Sequence, residues 1–116
     1  MASNKEIVQL VNEAFNNSDL ETFLAHCADD IQWTIVGKDT MHGKEAITAF
    51  MGKMDPAHAM EISADTIIAE GDNVSCNGTM QMKHEGRTSY RGAYSDIYQF
   101  REGRIATLHS YVIDLK

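Results

Sequence analysis

The sequence predicts a single α+β domain in which helices come first and an antiparallel sheet follows. Two observations support this fold class. Apolar residues recur at every third or fourth position in the first half of the chain, as on one face of a helix. In the second half they recur at every second position, as on one face of a strand. The chain has 116 residues, which suits one domain over residues 1–116.

Two capping boxes predict where the first two helices begin. Ser3 and Ser18 are each followed three residues later by a glutamate that can reach back to the helix start. A third helix spans about Lys44 to Met54 and ends at Asp55-Pro56, because proline cannot continue a helix. The inward residues are expected to be Ile7, Leu10, Val11, Ala14 and Phe15, then Leu20, Phe23, Leu24 and Cys27, then Ala46, Ile47, Phe50, Met51 and Met54.

One strand precedes the third helix and four follow it. Ile31, Trp33 and Ile35 alternate with polar residues, and residues 37–43 are predicted to be a loop. Turns are predicted at residues 71–73, 85–86 and 101–104. The later inward rows are Met60, Ile62, Ala64, Thr66 and Ile68, then Val74, Cys76, Gly78, Met80 and Met82, then Tyr94, Asp96, Tyr98 and Phe100, and the closing strand is Ile105 to Ile113.

Composition and charge exclude several function classes. The net charge is −7 and the basic residues are scattered, which argues against nucleic acid and against an anionic membrane surface. We expect no secretory signal and no membrane span. Cys27 and Cys76 are predicted to be reduced thiols of a cytoplasmic protein. No metal site and no cofactor is expected, because the histidines lack ligand spacing and no glycine-rich phosphate loop occurs.

Several motifs in this order resemble the nuclear transport factor 2-like superfamily, which includes ketosteroid isomerases, SnoaL-like polyketide cyclases and limonene epoxide hydrolases. The carriers are Ala28-Asp29-Asp30, Gly43 to Ile47, Asp96 to Phe100, and Gly103-Arg104-Ile105, and Tyr111 and Asp114 fit the usual ending. The resemblance covers nearly the whole chain. It implies three N-terminal helices packed in a curved antiparallel sheet, a cone-shaped cup that holds a small apolar molecule, and a homodimer.

The resemblance also implies roles for single residues. Asp96 matches the protonated, hydrogen-bond-donating Asp of the ketosteroid isomerases. Val11 takes the position of their catalytic Tyr, and Thr34 lies near the position of their base, so the resemblance does not extend to steroid isomerisation. The epoxide hydrolases pair an Arg with acids, and Tyr94 stands where that Arg would be.

Asp96 and His109 are the candidate catalytic residues. Asp96 shares a strand face with Tyr94, Tyr98 and Phe100, so burial should raise the pKa of its carboxyl and make it a candidate general acid or base. The alternative is an Asp that only supports the fold through hydrogen bonds. His109 is expected on the neighbouring strand, where it could exchange a proton with Asp96, or it could equally face outward.

The candidate ligand-binding residues are aromatic, sulfur-containing or at the expected mouth of the cup. They are Trp33, Met80, Tyr94, Tyr98, Tyr111 and His42. An ordinary core role is open for the aromatic residues and Met80, and a solvated loop position for His42. Ile67, Ala93 and Ile97 are expected on the outer side of the sheet, as the dimer interface.

Two classes of function fit these observations. The first is a cofactor-independent SnoaL-like isomerase, cyclase or hydrolase that uses Asp96 on an apolar ligand. The second is a non-catalytic ligand-binding or dimeric scaffold module.

Overall fold

A computed structural model describes residues 3–52 and 58–115, and within them the chain forms three helices and one curved, unclosed six-stranded sheet. This confirms the predicted α+β class. The elements in chain order are α1 (Asn4–Asn16), α2 (Leu20–Ala25), β1 (Cys27–Ile35), β2 (Asp39–His42), α3 (Gly43–Gly52), β3 (His58–Glu70), β4 (Asn73–His84), β5 (Arg87–Arg101) and β6 (Arg104–Asp114). No helix among the described residues is long and apolar enough to cross a membrane.

The helices begin close to the predicted positions. The Ser3 hydroxyl accepts a hydrogen bond from the backbone N–H of Glu6 at 3.1 Å, and the Glu6 carboxylate accepts one from the Ser3 N–H at 3.2 Å, so the first capping box is present. The second cap is Asp19 rather than Ser18, since its carboxylate accepts the Thr22 N–H at 3.1 Å.

Two of the helical predictions need correction. Leu10 is 43% exposed, and Val8 takes the buried position on α1 instead. Cys27 is buried but begins β1, because α2 ends at Ala25. Phe50 on α3 faces inward as predicted, although it is 39% exposed, because its ring packs against that of Trp33. Met54 and the predicted stop at Asp55-Pro56 lie outside the described residues.

The strands are ordered β2-β1-β6-β5-β4-β3. Among the described residues all neighbouring strands are antiparallel except β1 and β6, which run parallel and place Trp33 beside Leu108 and Ile35 beside Ser110. The segment predicted as a loop over 37–43 contains β2, which pairs with β1. Short strands of this kind carry too few residues to show an alternating pattern.

A β-bulge in β3 changes which residues face the helices. The pairing of β3 with β4 shifts register between Ala64 and Thr66, which inserts one extra residue and inverts the alternation beyond it. Ile67 therefore packs against the core, and Ile68 is 62% exposed. The prediction placed these two residues the other way round, so Ile67 does not belong to the outer face.

The same bulge brings two strands unusually close. A Cβ atom on Gly78 would lie 1.9 Å from the backbone oxygen of Ser63. Glycine, which has no Cβ, is the residue that fits here without a steric clash. The core lies between the helices and the concave face of the sheet, and its largest fully buried side chains include Phe23, Ile31, Ile47 and Tyr98.

Candidate functional site

A cavity of about 230 Å³ lies between the helices and the concave face of the sheet. Its wall is dominated by aromatic rings, methionines and aliphatic side chains, which is typical of a site for an apolar ligand. The lining residues are Phe15, Trp33, Ile35, Phe50, Met51, Met60, Ile62, Met80, Met82, Tyr94, Asp96, Ser110 and Val112. Trp33, Met80, Tyr94 and Asp96 are thus brought together, although Trp33 is far from the others in sequence.

Trp33 forms the centre of an aromatic cluster at the helical side of the cavity. Its ring centroid lies 6.2 Å from that of Phe15, 5.8 Å from Phe23 and 6.0 Å from Phe50. The Phe23 and Phe50 rings meet Trp33 edge to face, an arrangement that is favourable for aromatic pairs at these distances. The partly exposed Phe50 therefore covers Trp33 from α3, and its exposure follows from its place at the edge of the cavity.

Asp96 is partly buried on β5, between Tyr94 and Tyr98 on the same strand face. Its cross-strand partners are Cys76 on β4 and Ser110 on β6. Burial raises the pKa of the Asp96 carboxyl to about 6, and a hydrogen bond from the Ser110 side chain opposes this rise. The carboxyl can therefore change protonation state near neutral pH.

Ser110 connects Asp96 to the indole of Trp33. The Trp33 Nε1–H donates a hydrogen bond to the Ser110 Oγ at 2.9 Å. Ser110 is itself buried, it is the cross-strand partner of Asp96, and its side chain lowers the pKa of the Asp96 carboxyl by hydrogen bonding. The polar side chains of Trp33, Ser110 and Asp96 are thus neighbours in the cavity wall.

Tyr94 presents its ring to the cavity while its hydroxyl is engaged with the sheet. The hydroxyl donates to the backbone oxygen of Ser63 at 3.4 Å and lies 3.8 Å from the Cys76 Sγ. That sulfur accepts a hydrogen bond from the Asn12 Nδ2 at 3.3 Å. Burial raises the pKa of both Tyr94 and Cys76 above their ordinary values. Both groups are therefore neutral at physiological pH.

The other predicted site residues do not line this cavity. Tyr98 is fully buried in the core behind it, where burial raises the pKa of its phenol. His109 faces outward, because Leu108 and Ser110 on either side of it face inward, and its cross-strand partner is the outward-facing Ile97. Tyr111 and His42 are exposed, and His42 pairs with the exposed Gln32. The alternation of β6 and the presence of β2 thus place His109, Tyr111 and His42 outside the lining of this cavity, in keeping with the outward position left open for His109 and the solvated one left open for His42.

A second, more open groove of about 450 Å³ lies beside the β3 bulge. Several of its polar groups already have partners within the protein. Asn16 donates to the backbone oxygen of Ile62 at 3.0 Å and accepts from its N–H at 2.6 Å, and the Glu61 carboxylate accepts from Gln81 at 2.7 Å. The smaller cavity, with a carboxyl in an apolar wall, is the stronger candidate site.

The sequence profile of the SnoaL-like domain matches residues 8–108, which is most of the chain. The chain belongs to the SnoaL-like domain family. A comparison with curated proteins finds no match.

Solved structures share the fold of this SnoaL-like domain. An NTF2-like protein of unknown function from Burkholderia pseudomallei has 28% identity and a TM-score of 0.83, with 95% of this chain and 90% of that chain covered. An LEH-like epoxide hydrolase from M. tuberculosis has 20% identity and a TM-score of 0.82, with 93% and 80% covered. An NTF2-like protein of unknown function from Cytophaga hutchinsonii has 25% identity and a TM-score of 0.74, with 96% and 100% covered.

Val11 and Thr34, which the sequence resemblance placed at or near ketosteroid isomerase catalytic positions, supply no polar group to the cavity of this SnoaL-like domain. Val11 is fully buried on α1. The Thr34 hydroxyl shares a hydrogen bond with that of Thr40 at 2.9 Å, and Thr34 follows Trp33 on β1, so it faces the opposite side of the sheet.

Sequence reasoning missed Ser110, the residue that joins Trp33 to Asp96. The signal was present in the alternation of the closing strand, because Ser110 lies two residues after the apolar Leu108. Its importance depends on the register that places it opposite Asp96, and on the parallel β1–β6 pairing that brings Trp33 within hydrogen-bond distance.

Within residues 3–52 and 58–115, no three His, Cys, Asp or Glu side chains come close enough together to hold a metal ion. The ionisable side chains that line the cavity, among the described residues, are Tyr94 and Asp96. Any acid or base chemistry in this cavity therefore falls to Asp96, since the Tyr94 hydroxyl is directed at the sheet.

Proposed function

We propose that this SnoaL-like domain binds a small apolar molecule in the 230 Å³ cavity and transfers a proton to or from it through Asp96, without a cofactor. The volume lies below the range of about 300–1,000 Å³ that is usual for drug-sized ligands, which favours a molecule of one or two rings. The proposal includes isomerases, cyclases and hydrolases, and the identity of the reaction depends on the ligand.

The carboxyl of Asp96 in an apolar wall is the observation that supports this function. A carboxyl that served only the fold would be expected to have several hydrogen-bond donors, because burying an ionised group without them is unfavourable. Here the identified donor is Ser110. A pKa of about 6 also suits proton transfer, since a general acid or base is most effective when its pKa is near the working pH.

The simplest reaction of this kind is removal of a proton next to a carbonyl group. The C–H bond breaks, its electron pair forms the C=C bond of the enolate while the carbonyl π pair moves to oxygen, and the proton forms an O–H bond on the Asp96 carboxylate. Return of a proton from Asp96 to the same or another carbon completes an exchange or an isomerisation. No oxidant, reductant or further reactant is required.

Binding can be tested with indane, an apolar two-ring probe. Trp33 is the only tryptophan of the chain and lines the cavity, so its fluorescence should report occupancy. We expect saturable changes in Trp33 fluorescence, and NMR shifts in the methyl groups of Met80 and Met82. Saturable binding that leaves these three residues unaffected would contradict the cavity assignment.

Proton transfer can be tested with 2-indanone in D₂O, by following the loss of its α-proton NMR signals. We expect faster exchange with the protein than with buffer, and loss of the acceleration in Asp96→Asn, because an amide does not act as a base at neutral pH. Asp72→Asn, which removes an exposed carboxylate from a turn, is the matched control. Binding of 2-indanone without Asp96-dependent exchange would favour the non-catalytic binding module instead.

We also propose that the protein is cytoplasmic and forms a homodimer through the outer face of the sheet. Ile97 and Ile113 are 37% and 68% exposed on that face, and Ala93 lies on it as the cross-strand partner of Ile113. Exposed apolar rows of this kind are characteristic of interaction surfaces. Light scattering should give the dimer mass for the native chain and the monomer mass for Ile113→Lys, and a concentration-independent monomer would contradict the proposal.

A further inference from the structure

Ser110 has a single hydroxyl proton, and the hydrogen bond from Trp33 decides which neighbour that proton can be donated to. The Trp33 Nε1–H can only donate, so the Ser110 Oγ that it approaches at 2.9 Å must be the acceptor. The Ser110 proton is then free for its cross-strand partner, the Asp96 carboxyl, whose pKa the Ser110 side chain lowers. The chain of donors therefore runs from Trp33 to Ser110 to Asp96.

This direction has a consequence for the protonation state of Asp96. A hydroxyl that donates to a carboxyl stabilises the ionised form, whereas burial in an apolar wall destabilises it. Ser110 thus opposes the desolvation that would otherwise keep Asp96 protonated. Trp33 donates to Ser110 and Ser110 donates to Asp96, so neither group has a proton left for a ligand. The acceptor sites of Asp96 that Ser110 does not occupy are therefore the ones offered to the cavity.

We propose that Ser110, fixed by Trp33, is a positioning residue that makes Asp96 a hydrogen-bond acceptor and proton acceptor, so that the cavity selects an apolar molecule with a hydroxyl or other hydrogen-bond donor. This inference rests on the proposed function. It assigns Asp96 a polarity opposite to that of the protonated, donating Asp that the ketosteroid isomerase resemblance implies.

The surroundings of Asp96 make it the group that responds to pH. The adjacent titratable side chains are Cys76 on β4 and Tyr94 and Tyr98 on β5, all neutral because burial raises their pKa. From β6 it meets the hydroxyl of Ser110, and the helices, β1 and β3 contribute uncharged side chains to the lining. No lysine, arginine or histidine lines the cavity among the described residues.

Two probes of matched shape test the inference. The hydroxyl of 2-indanol can donate a hydrogen bond, whereas the carbonyl of 2-indanone can only accept. Hydrogen bonds to charged groups contribute about 1.5–3 kcal/mol, so at about pH 7.5 we expect 2-indanol to bind at least about tenfold more tightly. At about pH 5, where Asp96 is protonated, the preference should disappear or reverse. Affinities are read from Trp33 fluorescence and checked by NMR.

Variants of Ser110 test whether this residue controls the protonation of Asp96. If Ser110 only supported the fold, its replacement would leave the Asp96 pKa unchanged. In Ser110→Ala the pH at which the preference changes should rise, because the carboxylate loses its donor. In Ser110→Thr, which retains the hydroxyl, the pH at which the preference changes should stay near the value for the native protein. Ser95→Ala, adjacent to Asp96 in sequence, is the matched control and should leave it unchanged. Direct ¹³C NMR titration of the Asp96 carboxyl should follow the same order, and remains measurable if a variant binds neither probe.

The possible failures are distinguishable. Equal binding of both probes at about pH 7.5, or tighter binding of 2-indanone, would overturn the inference while leaving the cavity as a binding site. A Ser110→Ala variant with an unchanged Asp96 pKa would overturn the role of Ser110. If neither probe perturbs the residues that line the cavity, the inference and the proposed function both fail for ligands of this size.

Discussion

Replacement of Asp96 by asparagine should stabilise the fold in a pH-dependent manner. The pKa of Asp96 rises from 3.8 to about 6 on folding, and each pKa unit corresponds to about 1.4 kcal/mol. The folded state therefore retains the proton to higher pH than the unfolded chain. Below about pH 3, well under the unfolded pKa of 3.8, both states are protonated and ionisation has almost no effect on stability. The unfavourable contribution develops as the pH rises from 3.8 to about 6 and reaches about 3 kcal/mol above that.

Asparagine has the same shape as aspartate and cannot ionise, so it removes this cost. Its side-chain carbonyl can still accept the hydrogen bond that Ser110 donates to Asp96. We therefore expect the free energy of unfolding of Asp96→Asn to exceed that of the native protein by about 1–3 kcal/mol at pH 7.5, and to match it closely near about pH 3.

Urea unfolding of both proteins across this pH range measures the difference directly. Asp72→Asn is the control for the loss of a negative charge, because Asp72 is exposed. A loss of about 1 kcal/mol or more in Asp96→Asn at pH 7.5 would refute the reasoning, since it would mean that the carboxylate supports the fold. An equal gain at both pH values would show that ionisation is not its cause.

Three further outcomes are expected. Gly78→Ala should destabilise the fold by several kcal/mol in urea unfolding, because the added Cβ would lie 1.9 Å from a backbone oxygen, whereas Gly52→Ala, which meets nothing within 4 Å, should not be destabilised. Asn16→Ala should lower the free energy of unfolding by about 1–2 kcal/mol, because it removes two hydrogen bonds to the backbone of Ile62, and an unchanged denaturation midpoint would contradict this. Burial raises the pKa of Cys27 to about 12, so its thiol should react with Ellman's reagent at about pH 8 only after denaturation.

Local sequence patterns determined the class of fold and the position of Asp96 among apolar residues. The capping box at Ser3 fixed the start of α1, because it depends on groups three residues apart. The alternation of Tyr94, Asp96, Tyr98 and Phe100 predicted one strand face, and it holds in β5 because that strand carries no bulge across these four positions. Patterns of this range are encoded by neighbouring residues and need no knowledge of the partner strand.

Long-range pairing decided what local patterns could not. The bulge at residues 64–66 turned Ile67 inward and Ile68 outward, and it arises from the pairing with β4 rather than from the sequence of β3. The register of β6 placed Ser110 opposite Asp96 and His109 on the other face, because a shift of one residue reverses every side chain of a strand. The sequence by itself determined that a carboxyl would lie in an apolar row, and only the tertiary structure decided that its hydrogen-bond partner is Ser110 and not His109.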